Sequence, residues 1–327
     1  YALEDSGAKI LLTDRSDIGP LQGSVDQVIS LDEEYEAVLA GAAQAPLGDD
    51  SDEEDLAGLF YTGGTTGASK GVMLTHRNLI ANAFNWLSAV PQGPNDRSLV
   101  MAPMFHAAGS NGILAAMWQG SCQVALNTFE PKTVLQLIEK HKINITLGVP
   151  SMLSAIAEEQ HVNPKDVSSL KILAHGGSPI ATEVIKRCSQ AFTSAQMVEV
   201  YGATETSPLA TLLGNEEQLI DDPKARSCGR SVIGCAITIC APEGHALPTG
   251  EVGEVVVSGA NIMKGYWNKA EQTAAVLKGG GYWTGDLGYL DTEGYLFLVD
   301  RSKDMIVSGG ENVYSTEVED ILYKFPG

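Results

Sequence analysis

The amino-acid sequence predicts an α/β protein: layers of parallel sheet and helix, followed by a smaller β subdomain. Three observations carry this reading. Between residues 98 and 201, short apolar runs alternate with stretches of helical periodicity, the rhythm of strand–helix–strand units. From about Ser227 the rhythm changes to short strands between Gly and Pro turns. Near the front, a loop rich in glycine and threonine, Tyr61 to Val72, follows the apolar run Leu56 to Phe60, which reads as a buried strand. The expected division is 1–226 for the α/β part and 227–300 for the β subdomain.

Taken in order, Tyr1 to Asp14 reads as a helix end, a stop at Gly7 and a strand. Asp49 to Asp55 holds six acidic residues in seven, a solvated loop. Thr75 is placed to cap a helix whose apolar face is Leu79, Ile80, Ala83, Phe84 and Leu87. Ser98 to Phe129 contains no Asp, Glu, Lys or Arg. Pro103, Asn111, Gln119, Gln123 and Asn127 argue against a membrane span there and favour a buried strand–helix–strand unit. Helices are expected over Pro131 to Lys142, from Pro150, and over Pro179 to Phe192. Strands are expected at Ile143 to Gly148, Leu170 to Ala174 and Gln196 to Tyr201, and later at Ala236 to Cys240, Gly253 to Ser258 and Tyr295 to Val299.

Composition narrows the function. The 327 residues are 44% hydrophobic and 19% charged, with 21 basic and 41 acidic side chains and a net charge of −20. That balance opposes nonspecific binding to nucleic acid or to an anionic membrane surface, and no transmembrane segment is expected. Five scattered cysteines without a CxxC pair point to reduced thiols, a cytoplasmic location and no zinc site. The first residue is Tyr1 and the last follows a helical pattern, so both ends read as cut.

Six motifs carry chemistry. In Tyr61 to Val72, Gly63, Gly64, Gly67 and Gly71 free the backbone to form an anion nest, Thr62, Thr65 and Thr66 offer hydroxyls, and Lys70 offers one mobile charge. A Walker A loop is excluded because Lys70 is followed by Gly71. The competing reading is a glycine turn without a ligand. His175-Gly176-Gly177-Ser178-Pro179 stands at a strand end, where paired glycines admit a flat ring. In Tyr201-Gly202-Ala203-Thr204-Glu205-Thr206-Ser207, Tyr201 is able to stack on a base and Glu205 to ligate magnesium. In Tyr282 to Gly288, Asp286 is a fixed carboxylate suited to sugar hydroxyls. Val299 to Asp304 and Ser308 to Glu319 complete the set. Taken singly, most of these residues would be surface turns or core side chains. His76 and His141 are read as structural.

Together the motifs resemble those of the adenylate-forming enzymes, the family of acyl-CoA synthetases, luciferases and peptide-synthetase adenylation domains. The resemblance covers essentially the whole chain, and the Ser308 to Glu319 form is closest to acyl-CoA synthetases. It departs at Ser69 and Ser315, where many members carry proline. The resemblance implies that Thr62 to Lys70 hold ATP phosphates, with magnesium on Glu205 and Thr66. Gly176, Gly177, Tyr201, Gly202 and Thr204 would frame the nucleotide, and Asp286 and Arg301 would hold the ribose. His106 would gate the carboxylate pocket, residues 301–327 would be a hinge at Lys303 and the start of a separate C-terminal α+β domain, and Gly309, Gly310 and Glu311 would shape a coenzyme A tunnel. The implied activity is ATP-dependent conversion of a medium- or long-chain fatty acid to acyl-AMP and then to acyl-CoA. An aryl-CoA ligase, a luciferase-like enzyme and a non-catalytic nucleotide-binding module are the alternatives. The family's adenylation lysine is expected beyond Gly327, so adenylation by this stretch alone is expected to be weak. A homodimer is possible, and nothing in the sequence specifies it.

Overall fold

The computed structural model describes residues 1–327 except 16–17, 22, 46–47, 49, 65–66, 215–221, 302–305, 309–310 and 314–327. A short helix α1 (Ala2–Ser6) ends at Gly7 in the left-handed region. Strands β1 (Ile10–Thr13) and β2 (Gln27–Ser30) pair in parallel, and helix α2 (Tyr35–Gly41) follows. Then comes a hairpin, β3 (Leu56–Gly64) and β4 (Gly67–Thr75), paired antiparallel. The glycine-rich loop is therefore the tip of a hairpin. Leu56 to Phe60 is not the buried strand expected. Leu56 is 39% exposed, because β3 is an edge strand of a three-stranded sheet and pairs with β4 alone.

Helix α3 (His76–Ala89) starts where the sequence places its cap. The Thr75 hydroxyl accepts from the Asn78 N–H, and the Asn78 side chain accepts from the Thr75 N–H. The βα rhythm then runs as β5 (Arg97–Val100), α4 (Ala107–Gln119), β6 (Cys122–Ala125), α5 (Pro131–His141), β7 (Ile145–Gly148), α6 (Pro150–Val162), β8 (Ile172–Gly176), α7 (Thr182–Ala191) and β9 (Gln196–Tyr201). With β10 (Thr211–Leu213) and β11 (Arg230–Ser231), these strands form a sheet of order β11-β10-β9-β8-β7-β5-β6. Its β6, β5, β7, β8 and β9 ladders are parallel, and β10 and β11 are antiparallel additions.

Alternation along these strands divides the core. Leu99, Leu173 and Met197 pack with α5, α6 and α7 through Val134, Leu153, Ile156 and Ile185. Ile145, Ala174 and Val198 pack on the opposite face with α3 and α4 through Ala83, Trp86 and Ala115. Burial on both faces is what a parallel sheet requires, and each buried Val, Leu, Ile or Met among them contributes about 1.5–3 kcal/mol.

The rest of the chain is antiparallel: β12 (Cys235–Cys240), β13 (Gly253–Gly259), β14 (Gly265–Tyr266), helix α8 (Ala270–Val276), β15 (Leu277–Lys278), β16 (Gly281–Leu290) and β17 (Leu296–Arg301). Strands β12, β13, β16, β15 and β17 form one sheet. Strands β11 and β14 also lie beyond residue 226, yet β11 pairs with β10 and β14 with β4. Strands β18 (Ile306–Ser308) and β19 (Glu311–Val313) pair with each other. The α/β class read from the sequence is the fold observed. Among the described residues, no helix is long and apolar enough to cross a membrane.

Candidate functional site

The hairpin places Thr62 directly opposite Lys70 and Gly64 opposite Gly67. Thr65 and Thr66, at the tip, lie outside the described residues. Strand β14 pairs with β4 through Tyr266 opposite Val72, two residues beyond Lys70. The consequence is a contact: the Lys70 Nζ lies 4.5 Å from the centroid of the Tyr266 ring, a cation–π distance.

The same tyrosine reaches a second candidate. Its hydroxyl donates to Glu205 Oε1 at 2.7 Å, and the Met263 N–H donates to the Glu205 carbonyl at 2.9 Å. Glu205 stands in a tight turn, Thr204–Thr206, just past the carboxyl end of β9. Gly202 is needed there, since a Cβ would sit 1.8 Å from the Pro208 carbonyl oxygen. Tyr266 is buried, and burial together with the Glu205 carboxylate raises its hydroxyl well above the usual range. It therefore stays protonated and remains a donor.

At the other end of the cluster, the Tyr201 hydroxyl donates to Asp286 Oδ2 at 2.7 Å. Asp286 is aimed by a break in register. Glu254 pairs with Leu287 and Val256 with Trp283, so Thr284, Gly285 and Asp286 together face Val255. Gly285 takes φ 79°, and its N–H donates to Glu254 Oε1. Such bulges re-aim side chains. Asp286 is also the register partner of Arg301 on β17, which brings the two expected ribose ligands to facing backbone positions. Between the two carboxylates sits Tyr282, nearly buried, its hydroxyl raised by burial and by Glu205, Tyr266, Tyr201 and Asp286.

Gly176 closes β8 beside Val200 of β9, and Gly177 follows it. His175, one residue earlier, is fully buried with no partner on either ring nitrogen, and burial lowers it to about 4. Its register partner is Glu199, which burial raises to about 8. His106 is exposed, one residue ahead of α4, and its carbonyl accepts from the Gly109 and Ser110 N–H groups. Glu311 lies in β19 opposite Ser308. Lys303, Gly309 and Gly310 are outside the described residues.

Lys70, the pair Tyr201 and Glu205, and Asp286 thus come from three separate segments and meet through tyrosine contacts. The sequence reading missed Tyr266 and Tyr282, because an aromatic residue in a strand reads as core. The available signal was Gly265-Tyr266-Trp267, an aromatic pair after a glycine that takes φ 146°. No group of three or more His, Cys, Asp or Glu side chains able to hold a metal is present among the described residues. A single carboxylate still suits magnesium, which takes one or two carboxylates and fills its remaining positions with substrate phosphates and water.

The chain is 37% identical over 343 residues to a feruloyl-CoA synthase of an Amycolatopsis species, covering 100% of this chain and 65% of that protein. It is 37% identical over 278 residues to a long-chain-fatty-acid–CoA ligase of Bacillus subtilis, covering 83% of this chain and 48% of that protein. Its fold matches the O-succinylbenzoate coenzyme A synthetase of Bacillus subtilis, solved in complex with ATP and magnesium ion, with a TM-score of 0.87 and 32% identity over 99% of this chain and 66% of that one. The chain therefore spans less than two thirds of the length of these relatives. Residues 1–267 match the family described as AMP-binding enzyme, and this chain belongs to the AMP-binding enzyme family.

Proposed function

We propose that the chain is the nucleotide-binding part of an ATP-dependent, AMP-forming acid–CoA ligase. The observation that carries this is the meeting of Lys70, Glu205, Tyr201 and Asp286 around buried tyrosines. In this reading, a carboxylate oxygen of the acid attacks the α-phosphorus of ATP and pyrophosphate leaves, giving an acyl-adenylate. The sulfur of coenzyme A then attacks the acyl carbonyl, and AMP leaves. Thr62 to Lys70 hold the outer phosphates, and Lys70 balances charge as pyrophosphate departs. Tyr201, Gly176 and Gly177 frame the base, Thr204 contacts phosphate or substrate, and Asp286 and Arg301 take the ribose hydroxyls. Magnesium, when bound, neutralises phosphate charge, and Glu205 with Thr66 would hold it. His106 gates the acid, Lys303 is the hinge, and Gly309, Gly310 and Glu311 line the coenzyme A path.

For the acid, we favour a medium- or long-chain fatty acid. The stretch Ser98 to Phe129 is uncharged, which suits the wall of an apolar acid site. The likeness to a feruloyl-CoA synthase over the whole chain favours an aryl acid as the second reading.

The test is acid-dependent exchange of pyrophosphate into ATP, run with alkyl and aryl acids on this chain and on any longer protein that contains it, followed by addition of coenzyme A. Exchange with alkyl acids, then thioester, supports the first reading. Exchange with aryl acids alone supports the second. ATP binding with no exchange under any acid in a full-length protein would leave a nucleotide-binding module and sink the ligase.

A further inference from the structure

The contact between Lys70, Tyr266 and Glu205 has a geometry that neither charged group explains by itself. Lys70 belongs to β4, Glu205 follows β9, and Tyr266 stands in β14 between them. Lys70 and Glu205 carry opposite charge and both touch the same ring, yet they form no ion pair with each other. The ammonium meets its π face at 4.5 Å, and the carboxylate meets its hydroxyl at 2.7 Å. A cation held by a ring face keeps its N–H donors for another acceptor. A carboxylate with one oxygen satisfied by a hydroxyl keeps the other oxygen for a cation.

Tyr266 is itself fixed. It is 4% exposed, its N–H donates to Thr273 Oγ1 at 2.9 Å, and Val72 is its strand partner. A ring locked by backbone pairing on β4 and by a side-chain bond to α8 has little freedom to follow either charge. Its position is therefore set by the fold and not by the ligand.

We propose that Tyr266 is a positioning residue that holds Lys70 and Glu205 apart, keeping the lysine free for a phosphate group and orienting the carboxylate for a divalent cation. The inference rests on the nucleotide-site reading above and adds to it a residue whose two ends serve two different ligands. The hydroxyl serves the metal side, and the ring serves the phosphate side. The two roles therefore separate by substitution. Tyr266→Phe deletes the hydroxyl and keeps the ring. Tyr266→Leu deletes both and opens the path for Lys70 and Glu205 to pair.

The experiment is equilibrium binding to this chain, with manganese(II) read by electron paramagnetic resonance and α,β-methylene ATP as the nucleotide. For Tyr266→Phe, manganese affinity in the ternary complex is expected to fall on the order of 10-fold, the usual cost of losing a partner of a metal ligand, while metal-free nucleotide affinity is unchanged. For Tyr266→Leu, both affinities fall. In a Glu205→Gln background, Tyr266→Phe is expected to cost nothing further, which a merely structural role would not produce. Manganese affinity of Tyr266→Phe within about twofold of the parent, or an undiminished cost in the Glu205→Gln background, overturns the assignment. Failure of the parent chain to bind either probe overturns the nucleotide-site reading and this inference with it. Parent binding with an indifferent Tyr266 overturns this inference alone.

Discussion

Glu199 and His175 stand side by side in register on β9 and β8, and burial moves both away from charge. Glu199 is raised from 4.5 to about 8, so between those values the folded chain keeps a proton that the unfolded chain releases. Stability from Glu199 is therefore full at low pH and is lost as pH rises toward 8. His175 is lowered from 6.5 to about 4, so its contribution is lost as pH falls through that interval. The two slopes oppose each other at acid pH, and above pH 6.5 only that of Glu199 remains. Between pH 6.5 and 8 the parent is expected to lose about 2 kcal/mol of unfolding free energy, and Glu199→Gln to lose almost none. Urea denaturation across that range checks it, and a parent profile already flat would refute it. At this scale the motif residues were legible in the sequence, because glycine, threonine, lysine and carboxylates in dense patterns have few structural uses. The pairing of His175 with Glu199 was not legible, since register across a parallel sheet leaves no local trace in sequence.

The bulge on β16 shows how an element turns a motif into a direction. Thr284-Gly285-Asp286 would read as three strand residues, but three residues face one partner and Asp286 is turned toward Tyr201. Gly285 holds φ 79° with open space around its α-carbon, and so does Gly294 at φ 85° in the turn before β17. Both positions are therefore strained by alanine through backbone conformation alone, at about 1 kcal/mol each. Only one of them aims Asp286. Gly285→Ala is expected to weaken AMP binding about 10-fold, as the loss of a hydrogen-bonded carboxylate would, and Gly294→Ala to leave it unchanged. Calorimetric titration of both variants decides the matter, and equal affinities would detach the bulge from the site. The hairpin of β3 and β4 gives the same lesson. Its dense pattern is visible in the sequence, but the contact of Lys70 with Tyr266 depends on β14, which arrives about two hundred residues later along the chain.

Across the whole molecule, the parallel sheet and the later antiparallel sheet are fastened by buried asparagines. Asn261 is fully buried, and its amide donates to the Thr206 carbonyl at 2.7 Å and the Leu209 carbonyl at 2.9 Å, both in the connection that follows β9. Its carbonyl accepts from the Cys235 thiol at the start of β12. Asn78 does the same from α3, donating to the Ala260 and Ile262 carbonyls. Asn261→Leu would leave the buried Thr206 carbonyl without its donor and the Leu209 carbonyl with the Cys235 thiol in place of an amide, at a cost of about 2 kcal/mol. The expected result is a lower urea midpoint together with weaker nucleotide binding, because the Thr206 carbonyl belongs to the turn that carries Glu205. A variant as stable as the parent would show that these bonds are dispensable.

What the sequence by itself determined was local and periodic: the α/β class, the Thr75 cap, the strand–helix rhythm through Tyr201, the antiparallel change after Ser227, and the family motifs. These follow from side-chain spacing, capping chemistry and backbone permissiveness, which act within a few residues. Only the tertiary structure decided that Leu56 to Phe60 lies at an edge, that Asp286 faces Arg301, and that Tyr266 stands between Lys70 and Glu205. Those facts depend on strand pairings between segments far apart along the chain. Their energies come from contacts that exist only once the sheets have closed, so no window of sequence contains them.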